Sequence, residues 1–168
     1  IQAVAACALL HHLGKAKRVL VVTPASLKAE WEEQIKRFTT LGHQLVFGPR
    51  SARLKYYADS SPPLFTIVNY EQVVSDSLDL NEHLRPDIVV LDEAQRIKNW
   101  ATKTAQAVKR LKSRYAFVLT GTPIENRIDE LYSIIDFLDP SLLGPLFRFN
   151  REFYHFDERG RPSDYKNL

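Results

Sequence analysis

The sequence predicts an α/β fold in three layers, a mostly parallel central sheet with helices on both faces. Two observations carry this. Short β-branched runs without polar alternation, the pattern of strands covered on both sides, recur along the 168 residues. Each is followed by a segment whose apolar residues fall at helical intervals, and strand alternating with helix builds parallel crossovers.

The elements follow in order. Residues Ile1 to Leu10 are Ala- and Leu-rich and favour a helix that Gly14 is placed to end. Arg18-Val19-Leu20-Val21-Val22 is a central strand halted by Thr23-Pro24, and Thr23 or Ser26 can cap the helix that follows. In that helix Leu27, Trp31, Ile35 and Phe38 form one stripe expected to be buried. Leu45-Val46-Phe47 is a short strand, and Arg53 to Tyr57 is helical. Leu64 to Val68 is the next strand, with a helix from about Glu71. Asp87-Ile88-Val89-Val90-Leu91 is the clearest buried strand, followed by a helix from about Thr102 to Leu111. Tyr115 to Leu119 is a further strand, and Ile128 to Leu138 is helical until Pro140. The tail after Gly144 is aromatic, charged and without a clear period.

The length suits about one domain. With 45% hydrophobic and 26% charged residues, disorder and collagen-like repeats are excluded. The single Cys7 has no partner for an internal disulfide, which points to an intracellular compartment. No apolar run reaches the ~20 residues of a membrane span, and Ile1 to His12 lacks the charged region and cleavage site of a signal peptide. The absence of methionine leads us to expect a piece of a longer protein. A net charge of +3 is that of an ordinary solvated surface, although Lys103, Lys109, Arg110, Lys112 and Arg114 cluster, and Arg148, Arg151, Arg159 and Arg161 punctuate the end. Charge thus permits nucleic acid without demanding it.

Ligands of parallel sheets sit outside the carboxyl ends of the strands, so Thr23, Asn69, Asp92 with Glu93, and Thr120-Gly121-Thr122 are the residues to inspect. Asp92-Glu93 follows a buried strand, where carboxylates are costly unless they meet a cation or donors. Two adjacent carboxylates suit divided labour, one holding hydrated Mg²⁺ and one orienting or deprotonating water. The competing reading, in which Asp92 caps the next helix and Glu93 is solvated, is equally compatible with the dipeptide alone. In Thr120-Gly121-Thr122-Pro123, Gly121 permits a tight turn and the hydroxyls can bond a neighbouring loop or a phosphate, although a plain strand-to-helix turn also reads this way. Both features end consecutive strands, and that coincidence argues for a site.

Other chemistries find no residues. At Gly14-Lys15, Leu9 stands where the first glycine of a phosphate loop belongs and Ala16 replaces its Ser/Thr. No G-x-G-x-x-G or G-x-S-x-G occurs, and one Cys with five scattered His gives no zinc spacing. His11-His12 reads as a solvated pair at a helix end, and Cys7 as a buried small hydrophobe.

Asp92-Glu93-Ala94-Gln95-Arg96-Ile97-Lys98-Asn99 resembles motif II of the Swi/Snf-type branch of superfamily 2 helicase-like ATPases. Leu119-Thr120-Gly121-Thr122-Pro123-Ile124-Glu125-Asn126 resembles motif III, and Glu130 to Pro140 is similar to that branch in particular. Val21 to Leu27 with Trp31 looks like motif Ia, and Ile67 to Glu71 fits the next block. The four blocks cover about Ile1 to Pro140 in the family's order. The family's phosphate loop precedes a helix that often reads Ile-Gln-Ala, as Ile1-Gln2-Ala3 does here. The resemblance therefore implies a first RecA-like lobe over residues 1–140 lacking its Walker A loop, then an extension over 141–168 toward a missing remainder.

The activity implied is DNA-dependent ATP hydrolysis coupled to movement on double-stranded DNA. ATP and Mg²⁺ are the implied cofactors, with Asp92 on Mg²⁺ through water, Glu93 polarising the attacking water, and Thr120 near the nucleotide. Gln95, Thr120, Gly121 and Thr122 would couple nucleotide to DNA; Gln95 replaces the family's commoner His, which keeps hydrogen bonding but not a pH switch. Pro24, Ala25, Ser26, Lys28, Arg96, Lys98 and Asn99 would grip phosphates. Implied partners are duplex DNA, a second RecA-like lobe of the same chain, and a transcription or nucleoprotein complex, with no membrane. The compact spacing points to a bacterial cytoplasm and nucleoid rather than a nucleus. The isolated chain, without a phosphate-loop lysine or arginine fingers, is expected to be inactive. Two alternatives stand beside this: a non-catalytic DNA- or protein-binding scaffold lobe, and a Mg²⁺-dependent receiver-like phosphotransfer domain with Asp92 as acceptor, for which Thr120-Gly121-Thr122-Pro123 offers no lysine.

Overall fold

A computed structural model of the chain describes residues 1–121, 128–156 and 162–165. Five parallel strands form one sheet in the order β2-β3-β1-β4-β5. They are β1 (Val19–Thr23), β2 (His43–Leu45), β3 (Phe65–Asn69), β4 (Ile88–Leu91) and β5 (Tyr115–Val118). The central β1 pairs with β3 from Val19–Phe65 to Thr23–Asn69 and with β4 from Val19–Ile88 to Val22–Leu91. This in-register pairing brings the carboxyl ends of three strands level, so Thr23, Asn69 and Asp92 emerge side by side.

Alternation along each strand divides the core in two. Val19, Val21, Phe65, Ile67, Ile88 and Val90 face α1 (Gln2–His12) and α2 (Lys28–Phe38), meeting Ala3, Val4, Cys7 and Ile35. Leu20, Val22, Val68, Val89 and Leu91 face the other layer, α3 (Arg50–Tyr57), α4 (Tyr70–Asp79), α5 (Lys103–Lys109) and α6 (Ile128–Leu138). Each of these strand side chains is essentially without solvent contact, and full burial of such a residue contributes about 1.5–3 kcal/mol. Two-sided burial is why the strands read as continuous apolar runs. Past α6 the tail forms α7 (Leu146–Phe153) and a small antiparallel pair, β6 (Tyr154–Phe156) with β7 (Pro162–Tyr165). Among the described residues no helix is long and apolar enough to cross a membrane.

Several expectations are corrected. The second strand lies earlier, at His43–Leu45, and Val46 instead joins the core just beyond it. Neither Thr23 nor Ser26 caps α2; a 3-10 turn, Ala25–Leu27, intervenes, and α2 starts without a side-chain cap. Phe38 leaves the buried stripe, 47% exposed at the end of α2. At α4, Asn69 and Gln72 form a reciprocal capping box that starts the helix at Tyr70. Gly14, at φ 68°, closes α1 with its N–H on the His11 carbonyl, a conformation a Cβ would strain. The His11 ring reaches the Ala16 carbonyl at 2.9 Å rather than standing free in water. A π-helical turn, Leu80–Leu84, ends in left-handed Arg85 and delivers the chain to β4.

Candidate functional site

The site is built where β1, β4 and β5 end. The Asp92 backbone is pinned on both sides: its N–H donates to the Val22 carbonyl (2.9 Å) and its carbonyl accepts from the Tyr70 hydroxyl (2.7 Å). Burial, then the Asp92 charge, push the Tyr70 hydroxyl well above its ordinary pKa, so it stays a donor. The Asp92 carboxylate takes donors from β1 and α2. Thr23 Oγ1 donates to Oδ2 at 2.9 Å and Trp31 Nε1 donates to the same oxygen at 2.8 Å. Oδ1 accepts the Glu93 N–H at 3.1 Å. Asp92 thus caps no helix, since the 3-10 turn Ala94–Ile97 that follows begins without a side-chain cap.

Glu93 adopts a left-handed backbone, φ 53° and ψ 51°. For a residue with a Cβ this costs about 1–2 kcal/mol, and such strain persists where surrounding contacts over-determine it. Here the Ala94 N–H donates to the Leu119 carbonyl (2.9 Å), tying the loop after β4 to the end of β5. Gln95 bridges the two loops. Its Nε2 donates to Glu93 Oε2 and its Oε1 accepts from Thr120 Oγ1 at 2.9 Å. A carboxylate can only accept, which sets the amide's orientation and leaves the amide oxygen for the hydroxyl. Gly121 abuts the same carboxylate, since a Cβ there would lie 4.0 Å from Glu93 Oε1. Thr122 lies outside the described residues.

Asp92, Glu93 and Leu119 border a cleft of about 430 Å³ that also meets Ile1, Val4 of α1, and Trp31 and Gln34 of α2. A carboxylate offers about four acceptor positions, and three on Asp92 are filled, so Oδ1 retains capacity for a metal-bound water. Among the described residues no cluster of three or more His, Cys, Asp or Glu could encage a metal. That donor set fits Mg²⁺, which keeps its waters and uses one or two carboxylates with substrate phosphates.

The residues expected to meet DNA fall into two groups. Ala25 and Ser26 are exposed on the turn after β1, with Pro24 buried beneath them. Arg96, Lys98 and Asn99 are exposed after β4. Arg96 pairs with Glu71 at 3.2 Å and lies over the Tyr70 ring, which sets it beside the end of β3. Lys28 does not join them. It is 3% exposed, and its Nζ donates to the Val46 carbonyl and to Gln72 Oε1 while standing over the Phe47 ring. Burial, then the Arg53 charge, lower its pKa to about 8. This lysine bolts α2 to the segment after β2 and to the capping box of α4, and its charge is spent inside.

Sequence reasoning missed Trp31 and Tyr70 as site residues. A signal existed for Trp31, because an indole N–H in a stripe expected to be buried requires a partner.

A family profile described as the SNF2-related domain matches residues 1–167. The DNA repair and recombination protein RDH54 of Saccharomyces cerevisiae is 33% identical over 158 residues, covering 83% of this chain and 16% of that protein. The human DNA repair and recombination protein RAD54B is 31% identical over 136 residues, covering 80% and 15%. The Sulfolobus solfataricus SWI2/SNF2 ATPase core in complex with dsDNA superposes with a TM-score of 0.79 at 35% identity, over 90% of this chain and 31% of that one. The chain thus spans about one sixth of the length of these curated relatives. The receiver-like alternative also fails on topology: that class runs 2-1-3-4-5, whereas here β1 lies between β3 and β4. The α/β sheet with RecA-like order, the acidic pair at its edge and these likenesses agree: the chain belongs to the SNF2-related family of Swi2/Snf2-type helicase-like ATPases.

Proposed function

We propose that this chain is part of the first RecA-like lobe of a DNA-dependent ATPase that moves along double-stranded DNA. The observation that carries the reading is the Glu93–Gln95–Thr120 bridge beside Asp92, which joins the ends of β4 and β5 at one cleft. Asp92, oriented by four protein donors to its carboxylate and carbonyl, would hold Mg²⁺ through water. When bound, that ion neutralises charge on the ATP phosphates. Glu93 orients the attacking water and accepts its proton, and its strained backbone fixes where it points. Gln95 keeps Glu93 in place and senses the loop after β5 through Thr120. The α1 helix begins at the same cleft, and a helix start favours phosphate.

Ala25, Ser26, Arg96, Lys98 and Asn99 share the carboxyl edge of the sheet and would hold one strand's phosphates, positioning DNA without reading its sequence. Support comes from the relatives, two of them named for DNA repair and recombination and one solved with dsDNA. Hydrolysis by the full-length protein, with and without duplex DNA and beside Glu93→Gln, tests the reading. Duplex stimulation abolished in the variant supports it; no hydrolysis under either condition overturns it in favour of a scaffold lobe.

A further inference from the structure

Trp31 enters above only as one donor among four to Asp92, yet its geometry is specific. The residue is half-buried, borders the cleft, and spends its single donor on Asp92 Oδ2 at 2.8 Å. Thr23 spends its hydroxyl on the same oxygen at 2.9 Å. With the Asp92 N–H on Val22 and its carbonyl under Tyr70, the backbone is already held. Side-chain rotation is the freedom that remains; the Glu93 N–H holds Oδ1, and Thr23 and Trp31 together hold Oδ2.

The two donors also flank one segment. Between them lie Pro24, Ala25 and Ser26, closed into a 3-10 turn by the Leu27 N–H on the Pro24 carbonyl at 2.9 Å. The chain from Thr23 to Trp31 and the two hydrogen bonds through Asp92 Oδ2 therefore form a ring. β1 is buried on both faces, and the exposed Ala25–Ser26 turn runs directly into the start of α2, the helix that carries the indole.

We infer that Trp31 is a positioning residue that links the Ala25–Ser26 turn to the orientation of the Asp92 carboxylate, so that DNA on the turn adjusts the hold on Mg²⁺. This rests on the ATPase reading, with Mg²⁺ at Asp92 and a phosphate backbone at the turn. Groups that orient a metal-binding side chain typically change metal affinity 10–100-fold when removed.

The test uses the full-length protein and a fluorescent ATP analogue, titrated with Mg²⁺ in the presence and absence of duplex DNA. Trp31→Phe keeps an aromatic ring and deletes the donor. We expect its Mg²⁺ requirement for analogue binding to rise about tenfold, and the shift that DNA produces in the wild type to vanish. Thr23→Val should raise the requirement as well, and Thr23→Ser, which retains the donor, should restore it. If Trp31→Phe does not fold, Trp31→Leu, which also lacks the donor, decides by the same readout. A folded Trp31→Phe with the wild-type Mg²⁺ requirement and DNA response overturns the inference. Wild-type protein that binds the analogue with Mg²⁺ but never hydrolyses ATP overturns the ATPase reading while this comparison still decides the role of Trp31. Failure of the wild type to bind any Mg²⁺–nucleotide overturns both.

Discussion

Replacing Arg53 by Met should be among the most damaging single changes in this chain away from the cleft. Arg53 on α3 clamps Asp76 on α4 with two parallel bonds, Nε to Oδ2 at 2.6 Å and Nη2 to Oδ1 at 2.7 Å. The Asp76 side chain has no exposure and that of Arg53 only 12%. Tyr57 and Ser75 hydroxyls complete the shell at 2.8 and 2.7 Å. Without the guanidinium, a buried carboxylate is left with two neutral donors, which costs about 3–5 kcal/mol. For a chain of this size that lowers the Tm by roughly 6–20 °C, at about 2–4 °C per kcal/mol. Thermal unfolding of the 168-residue chain by circular dichroism measures it. Arg53→Met combined with Asp76→Leu and Tyr57→Phe, which leaves no stranded charge or buried hydroxyl, should recover most of the loss. The sign with pH is also determined. Burial raises the Asp76 pKa, but bonds from Arg53, Ser75 and Tyr57 outweigh it and hold the carboxyl below its ordinary value. The pair's contribution is therefore complete above the unfolded carboxyl pKa of about 3.9 and lost as pH falls through the lower folded value. A cooperative Arg53→Met transition within 2 °C of wild type at neutral pH would refute this account of the cluster.

Three further outcomes are expected. Gln95→Leu should lower DNA-stimulated ATP hydrolysis by the full-length protein about 10-fold or more, equivalent to ~1.4 kcal/mol of barrier. Thr120→Val should add little to it because both act through one bridge, and steady-state rates for the single and double variants check both statements. Lys98→Ala should reduce the slope of log affinity for duplex DNA against log salt by about 1, whereas Lys28→Met should leave that slope unchanged; fluorescence anisotropy at several salt concentrations separates them. Cys7, 1% exposed, has its thiol pushed up to about 12 by burial, so it should resist alkylation at pH 8 until the chain is unfolded in urea, as thiol titration with and without denaturant would record.

Much of the architecture was legible in one dimension because its cause is local and periodic. A strand covered on both faces must be apolar at every position, so β1, β3 and β4 announce themselves, and the rule that ligands meet the carboxyl ends of parallel strands then points to Asp92, Glu93 and Thr120. The edge strand β2 was misplaced because His43–Leu45 is only half-buried and carries no such run. Lys28 reads in the sequence as a phosphate contact because an exposed and an internally bonded lysine look alike in a helix; Val46 and Gln72, 18 and 44 residues away, decide which it is. Trp31 was assigned to the core by its spacing, and its indole N–H acquires a role only when α2 lies across the end of β4, 61 residues later. What the sequence by itself determined is the order of the layers and the identity of the acidic pair, through periodicity and burial. Which side chains aim that pair was decided by the tertiary structure alone, because hydrogen bonds depend on direction and distance between segments that the chain order does not bring together.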